Sequence, residues 1–411
     1  MTSTLTNAST YVETAHRIGS RICRDAIWAG DRVNWIGDSM EFVGNQWKVA
    51  HRALSPYLYD GTAGIALFLA ALHRQSPERL YRRTAEAALR QACQRLQQDP
   101  PSVAFYSGNA GVAWVALRAA EYLEAPEWRD TAGRLLDQVR GYQPSEQEVD
   151  VISGPAGAIP ALLAMDRRSE AVRLGEWLLD RSVKSEAGWS WDTLPGNGAH
   201  LTGFSHGASG VGWAMLELAQ VTGDQRFRHA FDEACRYERS HYDAQQQNWH
   251  DLRSDDTLAY AAQANSAPVC GMAWCHGAPG IALARLRAFE LTRDAAIAAE
   301  ARTAVATTAR ALSEATGAQD NFSLCHGQCG NAEPLLLSAR LLPDAAWMPV
   351  VETVAQRGIE MHERKGLLWN CGVNGGAETP NLMLGTAGIG YFYLRLAEPD
   401  RTPSVLLLGA N

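Results

Sequence analysis

A Gly-x-x-Gly turn leading into an apolar helix recurs seven times along this chain, at Gly61/Gly64, Gly108/Gly111, Gly154/Gly157, Gly207/Gly210, Gly277/Gly280, Gly327/Gly330 and Gly385/Gly388. Successive copies begin about 46 to 70 positions apart, a period that holds one helical hairpin and its connections. Such a hairpin cannot bury its apolar face alone and must stack on its neighbours. The runs after the glycines, IALFLAALHR, VAWVALRAAEYL and IALARLRAFELT among them, are apolar at helical spacing and too long for strands. Each unit therefore predicts one outer and one inner helix, and no alternating β-rich segment competes. The first and last units lack the polar faces that cap an open solenoid, so the seven hairpins are expected to close into a ring. Glycine before each helix permits close backbone approach and unusual dihedrals, and it leaves seven helix N-termini open on one rim.

With 411 residues the chain exceeds the usual single-core size. A helical ring, however, grows by adding units, so one domain over 1–411 is expected, with 1–54 as an N-terminal helical segment packed into the ring and 55–411 as the repeats. A hydrophobic content of 46% supports a large core. The net charge is −8 and no basic block occurs, which argues against a nucleic-acid surface. The N-terminus, MTSTLTNASTYVETAHRIGSR, lacks a basic-then-apolar signal pattern. No apolar run reaches the roughly 18 to 20 residues that span a bilayer, so a cytoplasmic protein is predicted. Connections are marked by QQDPPS (Gln97 to Ser102), by Pro144 to Glu148, and by the polar stretch Asp243 to Ala264, which lengthens the fourth interval. That stretch carries NWHDLR just before the fifth turn and is positioned to wall or cover a central cavity.

Ring closure brings equivalent slots together at the centre. The residue before the first glycine reads Asp60, Ser107, Ser153, His206, His276, His326 and Leu384, and the one before that Tyr59, Tyr106, Ile152, Ser205, Cys275, Cys325 and Met383. Units four to six thus supply two cysteines and three histidines. Eight cysteines scattered over a chain this long make no disulfide scaffold. Cys23, Cys93 and Cys235 lie in helical pattern and read as small buried hydrophobes. Two thiolates and one imidazole on a tetrahedral ion leave a fourth position open, as in catalytic zinc sites. Cys275, Cys325 and His326 form that set, with His276 as an alternative nitrogen ligand or as a group orienting one. Soft sulfur with imidazole favours Zn2+ over magnesium or calcium. Zinc so rich in thiolate is a modest Lewis acid and suits an incoming substrate thiolate better than hydrolytic water. His206, one unit earlier, is placed to move a proton beside it. Asp150, four positions before Gly154, reads either as a partner to His206 or as an ordinary acid at a helix entry.

These segments resemble the lanthionine synthetase C-like family, and within it the cyclase portion of class II lanthipeptide synthetases. The resemblance rests on YDGTAGIALFLAAL, GFSHGASGVGWAMLELA, WCHGAPGIALARL, LCHGQCGN, GTAGIGYFYLRLA and the terminal PSVLLL, in order over nearly the whole chain. It implies an all-α, α,α-toroid of seven inner and seven outer helices with zinc at the top of the cavity, held by Cys275, Cys325 and His326. His206 falls on the family's active-site histidine and Asp150 on its acidic residue. The implied reaction is lanthionine formation: a peptide cysteine thiolate adds in Michael fashion to dehydroalanine or dehydrobutyrine and closes a thioether ring, as in lantibiotic biosynthesis. The implied partner is a dehydrated precursor peptide, together with a dehydratase and an export transporter.

The chain departs from the family in places. About fifty residues precede the first repeat turn, too few for the dehydratase portion of a class II synthetase, so a separate dehydratase or an excised domain is expected. Some members carry an arginine four positions before the first zinc cysteine and a tyrosine after it, where this chain has Gly271 and His276. Cys329 is an extra thiol near the site and reads as a packed helix-entry residue. Two other readings share the zinc site: addition of glutathione or another free thiol to dehydroamino acids, and a non-catalytic, zinc-stabilised peptide scaffold. A prenyltransferase-like toroid is disfavoured by the two cysteines in equivalent slots.

Overall fold

A computed structural model describes residues 2–43, 46–254, 269–315, 320–342, 346–373 and 375–409. Helix α1 (Thr2–Arg24) is followed by six helical hairpins: α2 (Thr62–Gln75) with α3 (Arg79–Leu96), α4 (Asn109–Tyr122) with α5 (Glu127–Gln138), α6 (Pro155–Ala164) with α7 (Arg168–Asp180), α8 (Ala208–Thr222) with α9 (Gln225–Ser240), α10 (Ala278–Thr292) with α11 (Ala295–Glu314), and α12 (Gln328–Leu341) with α13 (Met348–Gly358). The last inner helix, α14 (Thr386–Ala397), takes α1 as its outer partner. Inner helices touch in chain order and α14 closes on α2, giving an α,α-toroid of seven inner and seven outer helices among the described residues.

The two rings differ as their sequences require. In α2 the whole stretch from Thr62 to Leu72 is buried, as expected of a helix with protein on every side. In α9 only Phe227, Ala230, Phe231, Ala234, Cys235, Tyr237 and Glu238 are, one stripe at helical spacing. The second glycine of each turn explains the repeat. A Cβ there would overlap the carbonyl oxygen six residues earlier, on Leu58, Phe105, Val151, Phe204, Trp274, Leu324 and Leu382 in turn. Close approach was therefore the correct reason for these glycines. Unusual dihedrals were not: six of the seven first glycines are extended, with φ between −111° and −154°, and only Gly277 is left-handed in φ, at +87°.

The 1–54 segment is helical only to Arg24, which corrects the expectation of a helical segment throughout. Two antiparallel hairpins follow: β1 (Ile27–Ala29) with β2 (Arg32–Asn34), and β3 (Ile36–Val43) with β4 (Gln46–Ala53). Gly30, at φ +65°, and Asp31 form the tight β1–β2 loop between Ala29 and Arg32, a Gly-Asp dipeptide that favours a hairpin over a helix. Shorter hairpins, β5 (Val183–Ser185) with β6 (Gly188–Ser190) and β7 (Tyr242–Asp243) with β8 (Asn248–Trp249), extend the connections around α7 and α9.

Beyond α14 the chain turns back into the ring. Val405, Leu406, Leu407 and Leu408 are at most 5% exposed. Tyr391 Oη donates to Pro403 O (2.8 Å), Tyr106 Oη to Val405 O (2.6 Å) and Trp274 Nε1 to Leu406 O (3.0 Å). Those donors belong to units seven, two and five, so the segment lies on the toroid axis, beneath the rim. No helix among the described residues is long and apolar enough to cross a membrane.

Candidate active site

Backbone hydrogen bonds tie the rim turns together and fix the slot side chains relative to one another. Val151 N donates to Ser205 O (2.9 Å), Phe204 N and Ser205 N to Cys275 O (3.2 Å each), Cys325 N to Met383 O (2.9 Å), Met383 N to Tyr59 O (2.9 Å), and Tyr59 N to Tyr106 O (2.9 Å).

Within this frame the Cys275 and Cys325 thiols are neighbours whose ionisations are tied to one another. Tyr59 Oη donates to Cys325 Sγ at 3.0 Å. The Cys325 thiol lowers the pKa of Cys275 against the effect of burial, and the positive charges of His206 and Arg253 add to it. The same pairing, together with burial, raises Cys325 well above the ordinary thiol range. One thiolate, on Cys275, is thus the favoured ionisation of the pair.

Asp150 is 4% exposed. One of its oxygens accepts from Ser153 N (2.7 Å) and Ser153 Oγ (2.9 Å), and the other lies 2.6 Å from His206 Nδ1. A carboxylate only accepts, so Nδ1 carries the proton and Nε2 is the nitrogen left for the cavity. Burial works against the imidazolium, yet the hydrogen bond and charge of Asp150, with Cys275, outweigh it and raise the His206 pKa. The turn itself is held from the outer ring: Glu238 of α9 accepts from Gly203 N (3.0 Å) and Ser209 N (2.8 Å), and Thr193 Oγ1 donates to His206 O.

His326 Nε2 lies 2.8 Å from Gly372 O. A carbonyl only accepts, so Nε2 is protonated, and burial lowers the pKa toward the neutral ring. Nδ1 therefore keeps its lone pair, the state a metal ligand requires. His276 is 3% exposed, stacks on His206 (5.6 Å between centroids, 29° between planes), and places Nδ1 3.8 Å from Asp251 Oδ1. Burial, then the charge of Arg253, lowers its pKa to about 3, so it is neutral. Gly271 packs against the backbone of His276, where an added Cβ would stand 2.7 Å from its oxygen. A larger residue does not fit there. Cys329 is fully buried, and burial followed by Glu333 raises its thiol well above the usual range, as befits a packed helix-entry cysteine.

The geometry gathers Cys275 with Cys325, and His206 with Asp150. It does not gather the expected ligand set as tightly: among the described residues no three His, Cys, Asp or Glu side chains form a cluster able to hold a metal ion as they stand. A groove of about 810 Å³ leads from His326, Tyr59 and Leu384 across Tyr57 and Asp60 to β3 and β4, where Asp38 and Arg52 line it.

Sequence reasoning did not single out Tyr59, and it met Asp251 and Arg253 only within the segment NWHDLR, not as a pair. Tyr59 occupies the slot equivalent to the cysteines, which was signal enough. Of the stretch Asp243 to Ala264, proposed to wall the cavity, 255–264 lies outside the described residues. The remainder packs against the fourth and fifth turns. Asn248 accepts from Ala278 N (2.8 Å) and donates to Gly271 O (2.9 Å), while Thr202 Oγ1 donates to His250 O (2.5 Å).

The helical toroid carries a thiol pair and a carboxylate-held histidine on one rim. The chain belongs to the lanthionine synthetase C-like protein family, whose model matches residues 52–407. It is 23% identical over 318 residues to the lacticin 481/lactococcin biosynthesis protein LcnDR2 of Lactococcus lactis subsp. lactis, covering 73% of this chain and 31% of that protein. The chain therefore spans under a third of that relative's length. Among solved structures, nisin cyclase superposes with a TM-score of 0.63 at 19% identity, covering 84% of this chain and 89% of that one.

Proposed function

We propose that this protein is a zinc-dependent cyclase that forms lanthionine or methyllanthionine rings in a dehydrated precursor peptide. The observation that carries this reading is the pairing of Cys275 with Cys325 beside a histidine whose Nδ1 is held by Asp150. Family membership and the names of the two relatives, a lantibiotic biosynthesis protein and a nisin cyclase, agree with it.

The donors suit zinc: two sulfurs, one predisposed to ionise, and a neutral imidazole whose other nitrogen is committed to Gly372 O. Cys275, Cys325 and His326 would hold the ion. When bound, zinc lowers the pKa of a substrate thiol and keeps it as thiolate at neutral pH.

The chain's own residues do the rest. The groove that reaches His326 and Tyr59 would take the peptide, and holding its two reacting positions together beside the thiols would supply much of the advantage of ring closure. In the addition a sulfur–Cβ bond forms, the alkene electron pair moves onto the amide as an enolate, and a proton is delivered to Cα. His206, protonated more readily than an ordinary histidine, delivers that proton from Nε2. Asp150 holds the ring in position and favours its charged form.

The test is zinc content together with loss of alkylatable thiol, followed by mass spectrometry on a dehydrated, cysteine-containing model peptide. Ring closure adds no mass, so alkylation is the readout. Zinc-dependent thiol loss above the spontaneous rate is expected. Stoichiometric zinc without acceleration overturns the cyclase reading, and glutathione supplied in a parallel reaction reports addition of a free thiol.

A further inference from the structure

The phenol of Tyr59 reaches one of the two thiols from the first repeat turn. Tyr59 stands two positions before the first glycine of unit one, the slot that Cys325 fills in unit six. Its Oη donates to Cys325 Sγ at 3.0 Å. The backbone completes the contact: Cys325 N donates to Met383 O and Met383 N to Tyr59 O, each at 2.9 Å. These three bonds form a circuit through units six, seven and one, so closure of the toroid itself sets the phenol against the sulfur. The turn of unit seven also steadies the nitrogen expected to bind metal, since Gly372 N donates to Leu384 O (2.7 Å) and Gly372 O faces His326 Nε2 (2.8 Å). Tyr59, His326 and Leu384 line the groove together.

A second phenol separates packing from chemistry. Tyr106 fills the same slot in unit two and packs edge-on against Tyr59 (6.3 Å between centroids, 82° between planes), yet its Oη donates to Val405 O (2.6 Å) and not to sulfur. A tyrosine in this slot therefore needs no thiol for its hydroxyl to be satisfied. A thiol sulfur is a weak acceptor, whereas a metal-bound sulfur has lost its proton, carries negative charge and can only accept. The same O–H then makes a charge-assisted bond, which draws electron density from the sulfur and eases its ionisation. We propose that Tyr59 is a positioning residue for the zinc site: its hydroxyl holds Cys325 as thiolate and limits the charge that this sulfur gives to the metal. It acts through Cys325 and makes or breaks no bond of the substrate. With one of its sulfurs restrained in this way, the ion is the stronger acid toward the thiol of a bound peptide.

This inference rests on the zinc-dependent reading above, and one experiment separates their failures. The zinc affinities of wild type, Tyr59→Phe and Tyr106→Phe are measured by competition with a chromogenic chelator, and the absorption spectra of the cobalt-substituted proteins are recorded alongside. Both substitutions keep the ring and the backbone bonds and remove a hydroxyl alone. Tyr59→Phe is expected to bind zinc about 10- to 100-fold more weakly. It should also move the sulfur-to-cobalt charge-transfer band to longer wavelength, because a sulfur freed of its hydrogen bond yields an electron more readily. Tyr106→Phe should match wild type in both readouts. Tyr59→Leu lacks the hydroxyl as well, with the same shifts expected, and serves if the phenylalanine variant does not fold. Wild type that binds no zinc overturns the zinc-dependent reading and this inference with it. Zinc held by wild type with affinity unchanged in Tyr59→Phe, a loss of affinity with the cobalt band unmoved, or equal shifts in Tyr106→Phe overturns the role of Tyr59 alone.

Discussion

Units one and two of the rim, set beside units five and six, share a scaffold and differ in chemistry. In all four the second glycine lies on the carbonyl six residues earlier, at Leu58 and Phe105 in one pair and at Trp274 and Leu324 in the other. The slot two positions before the first glycine holds phenols in the first pair, Tyr59 and Tyr106, and thiols in the second, Cys275 and Cys325. The phenols nonetheless serve the thiols. Tyr59 bonds Cys325, and Tyr106 packs edge-on against Tyr59 at 6.3 Å while bonding Val405 O beneath. A ring of equivalent turns thus divides labour: each turn is built for the same backbone contact, and function depends on which slots carry reactive groups and which carry support.

The comparison breaks most visibly at the thiols. Cys325→Ala should lose zinc and ring closure together while keeping the helical circular dichroism of the wild type, because the alanine leaves the glycine contact untouched. Retained zinc would dissolve the division between scaffold and slot. His206→Ala should come next, keeping zinc and losing about 10²- to 10⁴-fold in kcat; a zinc-free variant would move His206 from proton handling to metal binding.

Asp150→Asn sharpens the role of the slot in unit four. With Asp150 present, the His206 pKa is raised, so the imidazolium persists to higher pH and a rate that needs it falls only as pH climbs through that value. Without the carboxylate, burial is left as the main influence and lowers the pKa. The alkaline limb of kcat should therefore shift to lower pH. A limb that stays where it was would remove His206 as the proton donor.

The smallest effect on catalysis, and the clearest on stability, is expected from the scaffold. Gly111→Ala places a methyl against Phe105 O, in a turn whose slot carries no thiol or imidazole. It should lower unfolding stability by about 1 to 3 kcal/mol in urea titration, as overpacking does, while the folded fraction keeps its zinc. A neutral substitution would show that the repeat glycines serve something other than close approach.

What the sequence discloses follows from how far each contact reaches along the chain. The glycine pairs and the thiol and imidazole slots are legible because repetition makes distant residues comparable: Cys275 and Cys325 announce each other through position alone. The Asp150–His206 bond is less so, since Asp150 stands outside the slots and meets His206 only through the bond between Val151 and Ser205. Arg253 is legible only as a member of NWHDLR, not by its partners. Its place depends on Asn197, Asn248 and Asp251 acting across three connections, and none of these lies in a repeating position. Of the hairpins of residues 27–53, β1 and β2 have three residues each and offer one glycine-containing loop as their cue, whereas β3 and β4, eight residues each, are long enough for a period-two search that a helical pattern search passes over. The axial segment escapes as well, because PSVLLL has no periodicity and its partners Tyr106, Trp274 and Tyr391 come from across the ring.

That axial segment makes the toroid a cup rather than a tube. Val405 to Leu408 occupy the space through which a chain would otherwise thread. If the proposed cyclase reading holds, whatever reaches the thiols would enter and leave by one mouth, and a substrate with several reactive pairs would have to let go and dock again for each ring rather than be fed through like a strand through an eyelet.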